Sequence, residues 1–367
     1  MKAYTTIFLL ISILFVLLID GCIEPKQVNY ISSCSTLNES GAIYYLTENI
    51  INSSTSYCIN ISANNVILDC QNHKIDGDDS ADYGIYVYRS SQEATNITIK
   101  NCIVTDWDYA NIYFRNASGN TLQNIVANSS PDYGIYLYYS DSNTLQNITA
   151  NSNSDDGIFL FYSSSNTLQN ITANSNNYGI YLGSSSSNTL QNITANSNSK
   201  HGIHLYYYNN NNTLQNITAN SNSVGIFLSF SSSNTLQNIT ANSNSDDGIF
   251  LLFSSSNTLQ NVTANSNSRY GIWLYPFSNS NTLQNITANS NRYGIYLYSS
   301  YSNTIANSTI QNNSQYDICI YKSHSNKIYN TLFNSSANFH FSGAWLAILL
   351  IVVLLIVLIV LYRTKMD

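Results

Sequence analysis

Apolar and polar residues alternate along short segments of this chain, and the segments return about every 23 residues. In residues 143–165 the apolar positions are Leu145, Ile148, Ala150, Ile158 and Leu160. A period of two predicts β-strands, and the abundant Asn, Ser and Thr are poor helix formers. The step from Leu145 to Ile148 is three, which predicts a corner at Asn147, because Asn tolerates the left-handed conformation. Each repeat should therefore contain two or three short strands joined by tight bends.

The repeated phrase is Asn-Thr-Leu-Gln-Asn-Ile-Thr-Ala-Asn-Ser, then polar residues, then Gly-Ile-aromatic-Leu-aromatic. Its copies start at Asn120, Asn143, Asn166, Asn188, Asn212, Asn234, Asn257 and Asn281, with a decayed copy at Asn303. Such a period is typical of a solenoid, in which each coil packs only on its neighbours. We expect Asn147 and its equivalents to form a ladder of bonded, buried amides, and Asn143 and its equivalents to form a second ladder. The Gly before each second strand suits a backbone site that needs special angles.

The pattern predicts an all-β fold, a parallel β-helix of about twelve coils of about 23 residues, followed by a C-terminal transmembrane helix. The sequence Leu145-x-x-Ile148-x-Ala150-x-x-Asn153 also matches part of a leucine-rich repeat. Leucine-rich repeats return by a helix or an extended loop. The return segment here is itself strand-like, which favours the β-helix.

Both ends of the chain are apolar. The run from Ile7 to Ile19 follows Lys2 and is typical of a secretory leader. Residues 344–362 are long enough to cross a bilayer, and the basic residues beyond them predict a cytoplasmic tail and an extracellular body. The expected organisation is a leader (1–22), an N-terminal cap with irregular coils (34–118), regular repeats (119–330), a linker (331–343), the span (344–362) and the tail (363–367).

Six cysteines suit the oxidising compartment that these ends imply. The expected pairs are Cys34 with Cys58, our first choice, and Cys70 with Cys102 on neighbouring coils. Stacked coils lie about 4.8 Å apart, which is within the range of Cα separations that a disulfide allows. The segment ending in Gly21-Cys22 resembles a bacterial or archaeal lipobox, although Asp20 stands where a small residue is preferred. Lipidation of Cys22, cleavage nearby and an uncleaved anchor therefore remain alternatives.

The N-terminal coils carry a more specific set of motifs. They are Cys34, Gly41-Ala42-Ile43-Tyr44-Tyr45-Leu46, Cys58-Ile59-Asn60-Ile61, Val66-Ile67-Leu68-Asp69-Cys70, Gln71-Asn72-His73-Lys74-Ile75-Asp76-Gly77 and Ile97-Thr98-Ile99-Lys100-Asn101-Cys102. These motifs resemble right-handed parallel β-helix proteins of the NosD-like type, a carbohydrate-binding and sugar-hydrolysis repeat family common on archaeal surfaces. The resemblance covers roughly Cys34 to Asn330. It implies a right-handed helix, a surface location and paired N-terminal cysteines, and it assigns no catalytic residue.

Charged residues make up only 9% of the chain, and the net charge is −7. In a typical globular protein about a quarter of the residues are charged. With no basic patch, nucleic-acid binding is not expected. The histidines are scattered at His73, His201, His204, His324 and His340. Metal sites need clustered ligands, so we predict no metal and no cofactor.

If Ile and Leu of each second strand face inward, their neighbours face outward. The outward row carries a ring in every coil: Tyr136, Phe159, Tyr181, His204, Phe227, Phe250, Trp273 and Tyr296. Such a stripe would exceed the apolar patches typical of monomers, and we treat it as a candidate ligand-binding face. Three interpretations stay open: cross-strand stacking that stabilises the sheet, packing against another envelope protein, and a platform for glycans. A rival geometry would place the rings inside the helix.

Two acid pairs, Asp155-Asp156 and Asp246-Asp247, each precede a glycine. Polygalacturonases, which are β-helix enzymes, combine paired Asp with Gly-His-Gly and a basic clamp. Here the pairs should lie four coils or about 19 Å apart, beyond the roughly 5–9.5 Å that glycosidases use. We therefore expect solvated loop acids, name no catalytic residue and favour a protein that is not an enzyme.

Asn-x-Ser/Thr sequons are frequent, and the predicted compartment permits N-glycosylation. The Asn-Ile-Thr copies coincide with the predicted ladder, where a buried amide should escape the transferase. The freer candidates are Asn38, Asn52, Asn128 and Asn334.

The sequence as a whole predicts a membrane-anchored extracellular β-helix with a structural or adhesive role in the cell envelope. Its alternative is a carbohydrate-binding surface protein, with polysaccharide cleavage less favoured. The expected partners are the membrane and either an envelope glycan or a neighbouring surface protein. Weak contacts repeated at each coil would add by multivalency.

Overall fold

The computed structural model describes residues 26–89, 92–334 and 338–340, and this part of the chain contains strands but no helix. The strands of the N-terminal coils are β1 Val28–Ile31, β2 Ser35–Leu37, β3 Ile43–Leu46, β4 Ile50–Ser53, β5 Tyr57–Ile61, β6 Ile67–Asp69, β7 Lys74–Gly77, β8 Tyr83–Tyr88, β9 Ala94–Thr95, β10 Thr98–Thr105, β11 Ala110–Arg115 and β12 Ala117–Ser118. Those of the regular coils are β13 Thr121–Asn128, β14 Tyr133–Tyr138, β15 Thr144–Thr149, β16 Asp156–Phe161, β17 Thr167–Thr172, β18 Tyr178–Gly183, β19 Thr189–Thr194, β20 His201–Tyr206, β21 Thr213–Thr218, β22 Val224–Ser229, β23 Thr235–Thr240, β24 Asp247–Leu252, β25 Thr258–Thr263, β26 Tyr270–Tyr275, β27 Thr282–Thr287 and β28 Tyr293–Tyr298. The last coils contain β29 Thr304–Ala306, β30 Thr309–Ile310, β31 Tyr316–Tyr321, β32 Lys327–Tyr329, β33 Leu332–Phe333 and β34 Asn338–His340.

The strands form two large parallel sheets that wind around one core. Sheet A has 18 strands and contains the Thr-Leu-Gln-Asn-Ile-Thr segments, whereas sheet B has 14 strands and contains the Gly-Ile-aromatic-Leu segments. Each strand pairs in parallel with the equivalent strand of the next coil. The chain is therefore a parallel β-solenoid of about 13 turns, about one more than predicted.

Equivalent residues of successive coils lie directly above one another. Leu145 pairs with Leu168 in sheet A, and Ile158 pairs with Ile180 in sheet B. These aliphatic side chains, with the Ala that follows each sheet A corner, are fully buried and form one continuous core. The predicted inward set is therefore confirmed, and every outward neighbour has a fixed position on the surface.

The corner at Asn147 is confirmed. Its φ angle is 56°, in the left-handed region, and its Nδ2 donates to Oδ1 of Asn124 at 3.0 Å. The same bond repeats at 2.9–3.0 Å from coil to coil up to Asn285. However, these amides are exposed, not buried as predicted, because the corner projects from the prism. Burial therefore cannot protect the repeated sequons from a transferase.

Two further rows of Asn are buried. Oδ1 of Asn166 accepts the backbone N–H of Asn143 at 2.8 Å, so the predicted second ladder bonds the backbone of one coil to a side chain of the next. The row that contains Asn153 and Asn176 does the same and was not predicted. These side chains satisfy backbone groups that the bends would otherwise leave unpaired inside the solenoid.

The glycines before the sheet B strands are needed for space. Their φ angles are not positive, so the prediction of special backbone angles is wrong. A Cβ on Gly157 would lie 2.6 Å from the carbonyl oxygen of Gly179 and 2.7 Å from Nδ2 of Asn176. Glycine is required because the buried Asn row packs directly against the backbone.

The structure contains both expected disulfides in the N-terminal coils. The Cα–Cα distance is 4.3 Å for Cys34–Cys58 and 4.9 Å for Cys70–Cys102. Cys319 is free and buried. Cross-links that close loops in the first coils limit the freedom of the unfolded chain at the end of the stack.

Several predicted segments lie outside the described residues. They are the leader 1–22 with Cys22, residues 335–337 and 341–343 of the linker, the span 344–362 and the tail 363–367. Across the described ranges, no helix has the length and apolar character needed to span a membrane.

Candidate functional site

The predicted aromatic stripe lies on the outer surface of sheet B. We call it the central column: Tyr86, Tyr113, Tyr136, Phe159, Tyr181, His204, Phe227, Phe250, Trp273 and Tyr296. The flanking Ile and Leu of each strand are buried in the core. The rings are therefore outside the helix, as predicted, and the rival geometry is wrong.

The rings of the central column cover one another. Phe227 and Phe250 stack with centroids 4.6 Å apart and planes 5° apart, and Phe250 stacks on Trp273 at 4.3 Å and 9°. Parallel strands hold identical positions about 4.8 Å apart, a spacing that suits ring stacking. Most ring faces are occupied by neighbouring rings, so the column is chiefly cross-strand packing. A ligand would therefore meet mainly the edges of these rings, because their faces are covered.

Charge collects along one side of this column. Of the twelve Asp, Lys and Arg residues between positions 119 and 330, eight stand at the two positions before the sheet B glycines. We call this row the charged edge: Asp132, Asp155, Asp156, Lys200, Asp246, Asp247, Arg269 and Arg292. The concentration is notable because sheet A carries no charged residue in eight consecutive copies of its repeat.

The second Asp of each acid pair is buried. Asp156 is 4% exposed and Asp247 is 1% exposed, so the prediction of solvated acids is wrong for both. Oδ1 of Asp156 has no hydrogen-bond partner. Burial, followed by repulsion from Asp155, raises the pKa of the Asp156 carboxyl well above its usual range. Burial therefore favours the neutral form of the Asp156 carboxyl over its carboxylate.

Asp247 has closer polar neighbours. The backbone N–H of Tyr270 donates to its Oδ1 at 3.3 Å. Burial and repulsion from Asp246 raise the pKa of Asp247 to about 7, whereas the positive charge of Arg269 opposes that rise. Nη1 of Arg269 bonds both oxygens of Asp246 at 2.8 and 2.9 Å, and its guanidinium lies 5.1 Å from the ring of Trp273.

Two histidines, His201 and His204, lie in sheet B in the coils between the two acid pairs. Burial, with a smaller contribution from Lys200, lowers the pKa of His201 to about 4. Burial, His201 and Lys200 lower the pKa of His204 to about 2. His204 stacks on Phe227 at 4.8 Å, and neither of its ring nitrogens has a partner. Both histidines are therefore neutral rings in an aromatic layer.

The site has no paired-carboxylate geometry. Asp156 and Asp247 are equivalent positions four coils apart in sheet B, as predicted. In the described part of the chain, no group of His, Cys, Asp and Glu has the arrangement of a metal site. The face can pack, hydrogen-bond and attract charge, but the acids cannot act together on one glycosidic bond.

A second row of rings, which sequence reasoning missed, borders sheet B. The regular coils have four left-handed corner positions, except the coil of Tyr207, which has five because Tyr208 is also left-handed. Three of the positions hold Asn or Ser, and the corner after the sheet B strand holds an aromatic residue in six coils. We call these residues the aromatic ridge: Tyr139, Tyr162, Tyr207, Phe230, Phe253 and Phe277. Their φ angles are between 48° and 65°. The visible signal was an extra aromatic residue just beyond each strand, as in Leu160-Phe161-Tyr162.

The ridge is costly for the fold. Its side chains are 37–54% exposed, and bulky residues are strained in the left-handed region. Ser184 and Ser299 occupy the same corner in other coils, so a small polar residue is sufficient there. Tyr139 stacks on Tyr162 at 4.9 Å, and Phe230 stacks on Phe253 at 4.7 Å. The ridge therefore presents an ordered row of half-exposed rings that core packing does not require.

The predicted glycosylation sites differ in accessibility. Asn38, Asn52 and Asn334 are exposed. Asn128 is half-buried, and its Oδ1 accepts the backbone N–H of Asn151 at 2.7 Å, which makes it the least accessible of the four.

The sequence profile of the right-handed β-helix region matches residues 30–195, 164–305 and 254–346. This chain belongs to the right-handed β-helix family. The handedness and the coarse family indicated by the N-terminal motifs are thereby confirmed. A comparison of the sequence with curated proteins found no match.

Solved β-helix structures resemble this chain at low identity. A variant of the periplasmic alginate epimerase AlgG superposes with a TM-score of 0.60 at 14% identity, over 80% of this chain and 77% of that one. The Dettilon tailspike protein superposes with a TM-score of 0.54 at 14% identity, over 83% of this chain and 60% of that one. Tailspike protein 2 of bacteriophage CBA120 superposes with a TM-score of 0.55 at 15% identity, over 66% of this chain and 42% of that one. At these identities the likeness establishes the fold alone.

Proposed function

We propose that this protein is a surface-displayed β-helix that binds polysaccharide along the aromatic ridge and thereby acts as an adhesive component of a cell envelope. It would be a NosD-like protein of the archaeal surface type. Its leader would direct export across the membrane, and residues 344–362 would anchor it in the membrane. The proposal assigns binding without cleavage, because the buried acids are four coils apart.

One observation carries this proposal: half-exposed rings stand on left-handed residues in six coils, where Ser serves equally well in others. Strain and exposed apolar area both oppose folding, so the rings need a reason outside the fold. Aromatic side chains supply large contact areas with few rotatable bonds. A repetitive chain of sugar rings suits a row of contacts that repeats in six coils.

Multivalency makes such a row effective. A single ring against a single sugar is a weak contact, but contacts on one rigid rod add without a new entropic cost for each. The two disulfides support an oxidising environment such as the cell exterior. The similar structures include an alginate epimerase and tailspikes, and this supports polysaccharide as the class of partner.

The test is binding of the full-length chain to immobilised neutral and acidic polysaccharides. Changing the six ridge residues to Ser should abolish binding while keeping or raising the thermal midpoint, since Ser already occupies this corner at Ser184 and Ser299 and exposes less apolar area. A matched control changes exposed apolar residues elsewhere, Tyr30, Ile51 and Tyr329, to Ser and should bind normally. Equal binding by the ridge variant, or capture of a protein instead of a glycan, would contradict the proposal.

The surface location has its own test. Protease added to intact cells should remove the β-helix and leave the C-terminal tail protected. Protection of the whole chain would contradict surface display without affecting the binding result.

A further inference from the structure

A groove of about 320 Å³ opens at the N-terminal end of the aromatic ridge. It is lined by Tyr88, Arg89, Arg115, Asn116, Tyr138 and Tyr139. Tyr139 belongs to both features, so the groove continues the ridge. It also brings together two arginines, whereas the ridge residues themselves are uncharged.

The register of sheet B positions the first arginine. Arg115 ends β11 and pairs with Tyr88 of the preceding coil and Tyr138 of the following coil. Its Cζ lies 5.1 Å from the centroid of the Tyr88 ring, within the range of a cation–π contact. Arg115 is exposed, so this contact orients the guanidinium while its N–H groups stay accessible.

Neither arginine has a carboxylate partner among the described residues. In those ranges the ion pairs are Lys74–Asp76, Lys74–Asp106, Lys100–Asp69 and Arg269–Asp246. The chain has 20 acidic and 13 basic residues. Acids are therefore abundant, yet the lining of this groove has two arginines and no acid. Two guanidinium groups that line one groove create a local attraction for an anion.

We propose that this groove binds an anionic unit of a polysaccharide, with Arg89 and Arg115 on the anion and the tyrosines against the sugar ring. The anion is a uronate carboxylate or a sulfate ester, because the planar guanidinium donates two parallel hydrogen bonds to such groups. The inference rests on the proposed function, since the polysaccharide would lie on the ridge. It adds specificity: neutral chains bind the ridge, and acidic chains also engage the groove.

The experiment compares polygalacturonate, dextran sulfate and unmodified dextran as probes of the full-length chain at fixed ionic strength. The wild type should bind at least one acidic probe at least tenfold more tightly than dextran. The double variant Arg89→Gln with Arg115→Gln should lose about tenfold or more for that probe, as expected when charge-assisted bonds are removed. Its binding of dextran should not change.

Two controls keep this result specific. Arg292→Gln removes another exposed arginine that lies over a tyrosine ring and has no described carboxylate partner, but it stands far from the groove. That variant should bind all three probes like the wild type. Arg115→Lys keeps the charge but loses the two-bond geometry, and its affinity for the acidic probe should be intermediate.

The outcomes separate this inference from the proposed function. If dextran binds through the ridge and neither acidic probe binds more tightly, the groove assignment is wrong and the proposed function stands. Undiminished acidic binding by the double variant would also overturn the assignment. If no probe binds, both proposals fail. Preference for polygalacturonate over dextran sulfate, or the reverse, identifies which anion the groove accepts.

Discussion

Residues 143–160 and 234–251 have the same 18-residue sequence, yet their acid pairs are in different electrostatic states. Both segments place the second Asp at the same buried position of sheet B. Asp156 has an unpartnered oxygen and a pKa raised well above its usual range. Asp247 accepts a hydrogen bond from Tyr270, and its pKa is raised to about 7. The local sequence sets the position, and the neighbouring coils set the charge.

The residues above each pair explain the difference. At the first site Asn177 donates to Asp155 at 3.0 Å, and at the second site Arg269 binds Asp246. At the first site the amide adds no charge, and the positive charge that opposes the rise in the pKa of Asp156 comes from Lys200, two coils away. At the second site the guanidinium supplies positive charge from the next coil. In a solenoid, a residue's strongest partners are about 23 positions away, so identical repeats need not behave alike.

The largest expected effect is a loss of folding stability as pH rises. The folded pKa of Asp247 is raised from 3.8 to about 7, so the folded state holds its proton more tightly. The stability due to this proton is complete below about pH 4 and is lost as pH rises through 7, by at most about 4 kcal/mol. Asp247→Asn should therefore raise the thermal midpoint at pH 8 and leave it unchanged at pH 4.

Asp156→Asn should likewise raise the thermal midpoint as pH rises, because burial raises the pKa of the Asp156 carboxyl well above its usual range. Thermal unfolding between pH 4 and 9 measures both variants. The exposed Asp141→Asn serves as the control. Midpoints that run parallel to those of the wild type at every pH would show that these carboxyls are not buried in the folded chain.

The next effect is on the acid side. The folded pKa of His204 is lowered from 6.5 to about 2. The neutral His204 ring therefore contributes to the stability of the protein above pH 6.5, and this contribution is lost as pH falls. At pH 5 the loss is about 2 kcal/mol. His204→Phe should abolish this loss of stability at pH 5, because Phe continues the stack on Phe227 and has no ring nitrogens to desolvate. The midpoint should rise at pH 5, and a variant as acid-sensitive as the wild type would refute this explanation.

The fold could be predicted from the sequence because its determinants are local and repeated. The three-residue step between Leu145 and Ile148 predicted the Asn147 corner, and the alternation around Phe159 predicted which side chains face outward. Both predictions follow from strand geometry within one coil. Repetition then supplies the register, since identical coils bury the most apolar surface when they superimpose.

The candidate site was less predictable because its properties arise between coils. Burial of Asp156 depends on aromatic neighbours in adjacent coils, and the groove exists because the register brings Arg115 beside Tyr88. The aromatic ridge was missed for another reason. Left-handed corners are normally predicted from Gly, Asn and Asp, so the residue type of Tyr162 did not indicate one. The extra aromatic residue beyond the strand was visible in the sequence, but its left-handed backbone was not.

The smallest expected effects come from exchanging the partners of the two acid pairs. Arg269→Asn gives the second site the amide of the first. Without the guanidinium, the pKa of Asp247 should rise above about 7, so the loss of stability, which begins near pH 4, should continue to higher pH. The exposed pair itself contributes at most about 1 kcal/mol. The reciprocal Asn177→Arg should lower the pKa of Asp156, and pH titration of each carboxyl by NMR measures both shifts. If neither pKa moves, burial alone sets them, and the difference between the two sites must originate from the coils below, where Tyr133 and Val224 differ.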